Sequence, residues 1–223
     1  METRIVETRD QVTWTRAFGR ACGVLLDAIV RRLALARINP NVLTFMGLVV
    51  NVIAAVLFGY ANADNQARLF RYAGLVIIGS GFFDLVDGRV ARASNRVTKF
   101  GGFFDSVVDR YSDATQFLGL LVFYGRGDRF FYVILTAIVM ISAIMVSYTR
   151  ARAESLIGSC RVGFMERPER LVLVIIGALF NRMAPVLWII AVLSTITVIH
   201  RIRYTWTRTH GVDARGTNAG QAA

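Results

Sequence analysis

Apolar runs close to twenty residues long recur along this sequence of 223 residues, 55% of which are hydrophobic. In lipid, a helix is the only open-ended element that satisfies its own backbone hydrogen bonds. We therefore predict an all-α integral membrane protein with six transmembrane helices, preceded by an amphipathic interfacial helix. The expected spans cover residues 41–60, 71–91, 102–124, 129–149, 168–181 and 184–206.

The segment 11–37 has the pattern of the interfacial helix, because its apolar residues recur at helical spacing between arginines. A short soluble helix docked on the bundle is the alternative. The chain then has three parts: an N-terminal cytoplasmic segment at 1–37, a six-helix domain at 38–208 and a disordered tail at 209–223. The amphipathic pattern includes Phe18, Cys22, Leu25, Leu26, Ile29, Leu33 and Leu35.

The distribution of basic residues predicts the orientation. Of the 26 Lys and Arg residues, 20 fall in segments that a six-span chain with its N-terminus inside would keep on the inner side. The positive-inside rule then assigns both termini and the region 84–109 to the cytoplasmic side of the cell membrane. The net charge of +11 therefore reports topology and contact with membrane lipids. We expect no nucleic-acid partner, because no nucleic-acid motif is present.

Four aspartates stand beside these apolar runs. Asp84 and Asp87 are three residues apart near the end of the second span, and Asp105 and Asp109 are four apart near the start of the third. Either spacing puts both side chains on one helical face. Converging carboxylates at a membrane edge need cations to remain ionised. Oxygen ligands without His or Cys select Mg²⁺ or Mn²⁺, and two such ions together stabilise attack and departure at phosphorus.

The residues between the two pairs suit an anionic ligand. Gly88 leaves room for a ligand to approach the backbone, and Arg92, Arg96 and Lys99 supply positive charge. The alternative is structural, with the aspartates forming helix-end salt bridges to neighbouring arginines. The candidates for those bridges are Arg89, Arg92 and Arg110.

The spacing also matches a known signature, D-x2-D-G-x2-A-R-x8-G-x3-D-x3-D, and on this match the chain resembles the CDP-alcohol phosphotransferase family. The similarity extends over the core from about residue 38 to 208. The positions that fill the signature are Asp84, Asp87, Gly88, Ala91, Arg92, Gly101, Asp105 and Asp109.

The resemblance implies that an acceptor alcohol attacks the β-phosphorus of a CDP-linked lipid such as CDP-diacylglycerol, releasing CMP. It implies a first divalent ion, Mg²⁺ or Mn²⁺, on Asp84, Asp87 and Asp105. A second ion would be held by Asp84, Asp105 and Asp109, with Asp109 also acting as the catalytic base. It further implies a homodimer.

The resemblance assigns Gly88, Arg92 and Thr98 to the CDP moiety. "NPNVLT" at 39–44 is similar to the TPN-x-LT segment of the family, whose counterpart here is Asn41, Val42, Leu43 and Thr44. The residues themselves also fit a plain helix start with proline in the first turn, so a cap alone and a cap that also lines the pocket both stay open.

The second half suggests a phosphorylated acceptor. "SYTRARAE" at 147–154, "GFMERPERL" at 163–171 and "DRYSD" at 109–113 resemble segments of phosphatidylinositol-phosphate synthases and their archaeal counterparts. The similarity implies an acceptor-phosphate pocket made by Arg150, Arg170 and Arg201, with inositol phosphate as the favoured acceptor. Position 150 departs from that subfamily, which usually has lysine there.

Three other functions stay open at the level of the sequence. Phosphatidylglycerophosphate synthase activity, or another acceptor within the same family, would use the same signature. A cation transporter could also place carboxylates in the membrane, although these aspartates cluster with basic residues near one face instead of near the midplane. An inactive scaffold is the third, and it would be expected to have lost at least one of the aspartates, all of which are present.

Overall fold

The structure is a computed structural model that describes residues 30, 32 and 39–220, the last ten by their backbone alone. The described residues form six α-helices. They are α1 (Pro40–Tyr60), α2 (Gln66–Ala93), α3 (Lys99–Arg126), α4 (Phe130–Ile157), α5 (Arg167–Leu179) and α6 (Met183–Gly220).

These six helices confirm the predicted all-α integral membrane fold. By length and composition, α1, α2, α4 and the part of α6 up to His210 are each able to cross a membrane. Helix α5 has only 13 residues, and α3 carries several charged side chains. Large apolar side chains such as Phe45, Ile78 and Ile141 lie on the outer surface of the long helices, as lipid contact requires.

The starts of α1 and α3 follow from their capping residues. Asn39 precedes α1, and its Oδ1 accepts a hydrogen bond from the Asn41 N–H at 3.0 Å. Pro40 takes the first helical position, where a missing N–H costs nothing. Thr98 caps α3, and its Oγ1 accepts a hydrogen bond from the Gly101 N–H at 2.9 Å.

Helix α1 packs against α2 and α3, and α4 packs against α3 and α6. Helix α5 lies between α2 and α6. At the crossing of α1 and α3, a Cβ added to Gly119 would stand 2.3 Å from the Ala55 carbonyl oxygen, so only glycine allows this approach. The central core side chains, each at most 1% exposed, include Phe58, Phe70, Phe117, Leu120, Leu187 and Ile190.

A buried polar network joins α1, α2 and α3. Asn51 donates to Ser80 Oγ at 2.5 Å and to the Gly47 carbonyl at 3.0 Å. Gln116 in turn donates to Asn51 Oδ1 at 2.5 Å. Because these amide and hydroxyl groups satisfy one another away from water, they fix the relative positions of the three helices.

Two sequence expectations concern the ends of the chain. The interfacial helix at 11–37 lies outside the described residues except for Val30 and Arg32, which are helical. Where we expected a disordered tail from 209, α6 instead continues to Gly220. Extending a formed helix adds a hydrogen bond for each residue fixed, so the polar tail can prolong the last helix without a new nucleus. Residues 221–223 lie outside the described part.

Candidate active site

A short connection at 94–98 brings the end of α2 beside the start of α3. Asn95 adopts a left-handed backbone conformation there, with φ of 53°, which asparagine tolerates better than most residues. As a result Asp87 of α2 and Asp105 of α3 line the same cavity. One aspartate of each pair, Asp87 and Asp105, therefore lies on the same cavity at one end of the bundle.

Helix α1 contributes a direct contact to this cluster. The Thr44 hydroxyl donates to Asp87 Oδ2 at 2.6 Å, and both side chains are buried. A Cβ added to Gly47 would lie 3.1 Å from Asp84 Oδ1, so α1 approaches the second carboxylate closely as well. The first helix thus forms one wall of the carboxylate cluster.

Arg167, the first residue of α5, reaches into the cluster from the opposite side. Its Nη1 lies 2.9 Å from Asp84 Oδ2 and 2.8 Å from Asp109 Oδ1. Its Nε is 3.7 Å from Asp113 Oδ1. One guanidinium therefore joins carboxylates from both α2 and α3.

The donor set fits a hard divalent cation. Asp84, Asp87, Asp105 and Asp109 offer only carboxylate oxygens, and Arg167 already places positive charge between two of them. Within the part of the chain that the structure describes, no three His, Cys, Asp or Glu side chains are grouped closely enough to hold one ion. Binding an ion therefore requires these aspartate side chains to turn towards one another.

The family resemblance assigns seven residues to the CDP lipid, and five of them line one cavity of about 380 Å³: Asn41, Thr44, Gly88, Arg92 and Thr98. The other two lie outside that lining: Val42 is on the outer surface of α1, 52% exposed, and Leu43 packs against Val86 and Val90. The cavity is lined by Pro40, Asn41, Thr44, Asp87, Gly88, Ala91, Arg92, Arg96, Val97, Thr98, Gly101, Gly102 and Asp105.

Two signature glycines keep this cavity open. A Cβ on Gly101 would approach Thr98 Oγ1 to 3.1 Å and Asn41 Oδ1 to 3.5 Å. A Cβ on Gly88 would stand 3.8 Å from both terminal nitrogens of Arg92. Larger residues at either position would fill the space in front of the polar groups. Asn41 lines this cavity and also stands in the first turn of α1.

A second cavity of about 260 Å³ lies on the other side of the carboxylates. Asp109 is the one signature aspartate among its lining residues, and two of the three arginines assigned to the acceptor phosphate line it too. The lining consists of Asp109, Arg110, Asp113, Val146, Ser147, Arg150, Glu166, Arg167, Pro168 and Arg201.

Glu166 holds the two predicted arginines of this cavity together. Its Oε1 accepts from Arg150 Nη1 at 2.8 Å and from Arg201 Nη2 at 3.0 Å. Arg201, 1% exposed, also donates from Nε to the Val162 carbonyl at 2.8 Å. The guanidinium groups are thus oriented before any ligand arrives.

Arg170 occupies a different position from the one the sequence suggested. It is 2% exposed and pairs with Asp113 behind the wall of the second cavity. Among the described residues, its Nε and Nη1 have no hydrogen-bond partner. Asp113, which the sequence left without a role, is therefore held by Arg170 and stands beside Arg167.

Arg167 is the site residue that sequence reasoning did not assign. The E-R-P-E-R segment identified the region, but a cytoplasmic arginine beside a span is also what the positive-inside rule predicts. Glu166 and Glu169 fix the start of α5, since Glu169 Oε2 accepts from the Glu166 N–H at 3.0 Å. This cap directs Arg167 towards the aspartates.

The fold and this carboxylate site define a multi-pass membrane enzyme of the CDP-alcohol phosphatidyltransferase type. The model of the CDP-alcohol phosphatidyltransferase family matches residues 37–200, and the chain belongs to that family. The family predicted from the aspartate signature is thereby confirmed, as is its class of enzyme, a transferase of substituted phosphate groups.

Relatives with assigned activities are similar over most of their length. The chain is 38% identical to the archaetidylinositol phosphate synthase of Pyrococcus horikoshii over 178 residues, which is 79% of this chain and 88% of that protein. It also resembles the crystal structure of Mycobacterium tuberculosis phosphatidylinositol phosphate synthase with CDP-DAG bound. That match has a TM-score of 0.73 and 31% identity, and covers 82% of this chain and 94% of the other.

A further crystal structure of the Mycobacterium tuberculosis enzyme contains manganese and citrate. It matches with a TM-score of 0.70 and 31% identity, covering 82% of this chain and 89% of the other. Divalent metal use is therefore a property found within the family.

Proposed function

We propose that this enzyme transfers the phosphatidyl group of CDP-diacylglycerol to inositol phosphate, forming phosphatidylinositol phosphate and CMP. The observation that carries the proposal is the position of the carboxylate cluster between two cavities of different chemistry. Asp87 and Asp105 line the cavity with the signature glycines, while Asp109 lines the cavity with the arginines. A donor and an acceptor bound in these cavities would meet at the aspartates.

The larger cavity suits the nucleotide and its pyrophosphate. Asn41 and Thr98 offer polar groups for the cytidine side, and Arg92 offers a guanidinium for phosphate oxygens. Gly88 and Gly101 leave the room for close approach. The cavity begins at α1 and α2, whose outer faces carry large apolar side chains, so the acyl chains could remain in the lipid.

Asp84, Asp87, Asp105 and Asp109 would hold the divalent cations, two Mg²⁺ or Mn²⁺ ions, as the signature implies. Bound there, such ions would neutralise the pyrophosphate and make CMP a better leaving group. The oxygen-only donor set and the presence of manganese in a relative support this assignment.

Asp109 is the proposed general base, because it is the signature carboxylate that faces the acceptor cavity. It would take the proton from the acceptor hydroxyl while that oxygen forms a bond to the β-phosphorus. The bond from that phosphorus to the CMP oxygen would break in the same displacement. Asp105, one helical turn before Asp109 on α3, lines the donor cavity instead.

Arg150 and Arg201 are the proposed ligands of the acceptor's phosphate, since both line the cavity and Glu166 orients both. A guanidinium suits a phosphate bearing about two negative charges. Arg170 supports the site from behind by holding Asp113. Glycerol phosphate would offer the same phosphate, so phosphatidylglycerophosphate synthesis is the second candidate; the activities named for the similar proteins favour inositol phosphate.

We also propose that the site opens to the cytoplasm and that the enzyme is a homodimer. The excess of basic residues at the end of the bundle that bears the aspartates supports the orientation. The homodimer rests on the family resemblance alone, and crosslinking in membranes would test it.

Release of CMP tests the proposal directly. Purified enzyme would receive CDP-diacylglycerol, Mn²⁺ or Mg²⁺, and either inositol phosphate, glycerol phosphate or inositol. We expect CMP with inositol phosphate, and little with inositol, because inositol lacks the charge that Arg150 and Arg201 bind. Release with glycerol phosphate alone would replace the acceptor, and no release with any acceptor would refute the transferase assignment for this chain.

A further inference from the structure

Arg167 takes part in both halves of the site. Its Nη1 contacts Asp84 and Asp109 at 2.9 and 2.8 Å, and the same side chain lines the acceptor cavity beside Arg150 and Arg201. Its side chain is 22% exposed, so it is neither sealed in the core nor free in solvent. A residue in this position can move between the carboxylates and the cavity by rotation of its own side chain.

Arg167 contacts Asp84 and Asp109, two of the four carboxylates that the signature implies as ligands of divalent ions. A guanidinium and a divalent ion cannot share them without strong repulsion, because both are positive and would be only a few ångströms apart. Binding of ions by Asp84 and Asp109 therefore requires the guanidinium to leave. The nearest space for it is the acceptor cavity, where it would add hydrogen-bond donors for a phosphate.

The surrounding contacts favour movement of Arg167 over movement of Arg170 or Arg201. Arg170, three residues later on α5, is 2% exposed and held by Asp113. Arg201 is fixed by Glu166 and by the Val162 and Val146 carbonyls. Arg167, by contrast, is 22% exposed and borders the acceptor cavity, so its side chain has space into which it can rotate. Its ion pairs with Asp84 and Asp109 involve the carboxylates that divalent ions would occupy, so these ion pairs are the contacts that the ions would replace.

We propose that Arg167 exchanges with the divalent cations: its guanidinium pairs with Asp84 and Asp109 until ions bind these carboxylates, and the released guanidinium then binds the acceptor's phosphate. The identity of the acceptor rests on the proposed function, whereas the exchange between Arg167 and the cations does not depend on it. The consequence is a positive coupling, in which the metal tightens acceptor binding and the acceptor tightens metal binding by the same factor.

The first test measures Mn²⁺ binding to the full-length protein without substrates, from the loss of the free-ion electron paramagnetic resonance signal. Arg167→Gln removes the competing cation, so its dissociation constant for Mn²⁺ should be lower than that of the wild type by about 10-fold, within the usual range of coupling. Arg150→Gln is the matched control. It removes the same charge from the same cavity, but Arg150 pairs with Glu154 and Glu166 and not with the signature aspartates. It should leave the Mn²⁺ affinity nearly unchanged. Equal affinities of the wild type and Arg167→Gln, or equal tightening in both variants, would overturn the exchange.

The second test uses the wild-type protein and so does not depend on how a variant folds. Phenylglyoxal modifies accessible guanidinium groups, and mass spectrometry reports the modified position. Mn²⁺ should increase the modification of Arg167, and inositol phosphate added afterwards should reduce it again. Arg170 is the internal reference, because it is buried and should stay unmodified throughout. If Mn²⁺ leaves the labelling of Arg167 unchanged, the guanidinium does not leave and the proposal is wrong.

The two proposals fail in different ways. If Arg167→Gln binds Mn²⁺ more tightly but the wild type releases no CMP with inositol phosphate, the exchange stands and the acceptor assignment falls. If the wild type releases CMP but Mn²⁺ neither binds more tightly to the variant nor exposes Arg167, the enzyme assignment stands and the exchange falls.

Discussion

The contact between α1 and α3 gives the sharpest prediction about stability. A Cβ at position 119 would lie 2.3 Å from the Ala55 carbonyl oxygen, 2.7 Å from its Cα and 2.8 Å from its carbonyl carbon. All three are backbone atoms, so no side-chain rotation relieves the clash. Gly119→Ala must therefore separate the two helices by roughly 1 Å, since ordinary carbon contacts need about 3.5 Å.

Separating the helices loosens the core around Phe117 and Leu120. Overpacking of this kind costs about 1–3 kcal/mol, and we expect the upper part of that range because the clash is with backbone. Alanine would otherwise raise helix stability by up to about 1 kcal/mol over glycine. Gly79→Ala in α2 isolates that opposite effect, because a Cβ there meets nothing within 4 Å.

Unfolding of the purified protein in one detergent, followed by tryptophan fluorescence on heating, measures both variants. Gly119→Ala should unfold several degrees below the wild type, while Gly79→Ala should unfold at or above it. Because position 119 is ten residues from Asp109, about 15 Å along α3, the folded variant should keep much of its activity. A Gly119→Ala protein as stable as Gly79→Ala would refute the close approach of α1 and α3.

Four further outcomes follow from the site. Asp109→Asn keeps the shape of the side chain but removes the proposed base, so CMP release should fall by about 10²–10⁴-fold. Binding of CDP-diacylglycerol, measured by ultrafiltration, should stay within a few-fold of the wild type. Near-normal turnover would rule out the role of Asp109 as the base. Thr44→Val removes the 2.6 Å hydrogen bond to Asp87, and the free energy of unfolding should drop by about 1–3 kcal/mol. Thr44→Ser keeps the hydroxyl and should stay close to the wild type, so equal losses in both would disprove the importance of that bond. In initial-rate assays, Arg150→Gln should raise the KM for inositol phosphate by about 10-fold or more and leave the KM for CDP-diacylglycerol nearly constant. A change in the KM for CDP-diacylglycerol alone would contradict the assignment of the two cavities. Chelation by EDTA should stop CMP release and added Mn²⁺ or Mg²⁺ should restore it, whereas full activity in EDTA would exclude the role given to the aspartates.

Hydropathy was enough to predict the helices, since the six expected spans all fall on helices of the structure. The boundaries were less exact. Helix α2 begins at Gln66 and not at 71, and α4 continues to Ile157 and not 149. Polar turns at the ends of these helices remain helical outside the apolar windows, and a hydropathy pattern does not register them. The largest such difference follows Thr209, where the polar tail continues α6 as far as Gly220.

The carboxylate pairs were predictable because helical periodicity converts the spacing of the aspartates into a shared face. The arginines were not predictable in this way. Arg167 and Arg170 are both in the E-R-P-E-R segment, but one turn of helix separates an arginine that contacts the signature aspartates from one that is buried against Asp113. That difference depends on where α5 docks against α2 and α6, which no local pattern reveals.

The charges on α3 have a consequence for how the chain enters the membrane. A carboxylate at the centre of an inserting helix adds about 2.5–3.5 kcal/mol to the cost of insertion. In α3, Asp113 lies near the middle, and Asp105 and Asp109 lie nearer the start. Two of these find their cationic partners on α5, more than fifty residues later in the chain. Helix α3 packs against α1, which is made before it, but Asp109 and Asp113 obtain these partners only after α5 is made. Two carboxylates of α3 are thus paired by a segment that is synthesised after it.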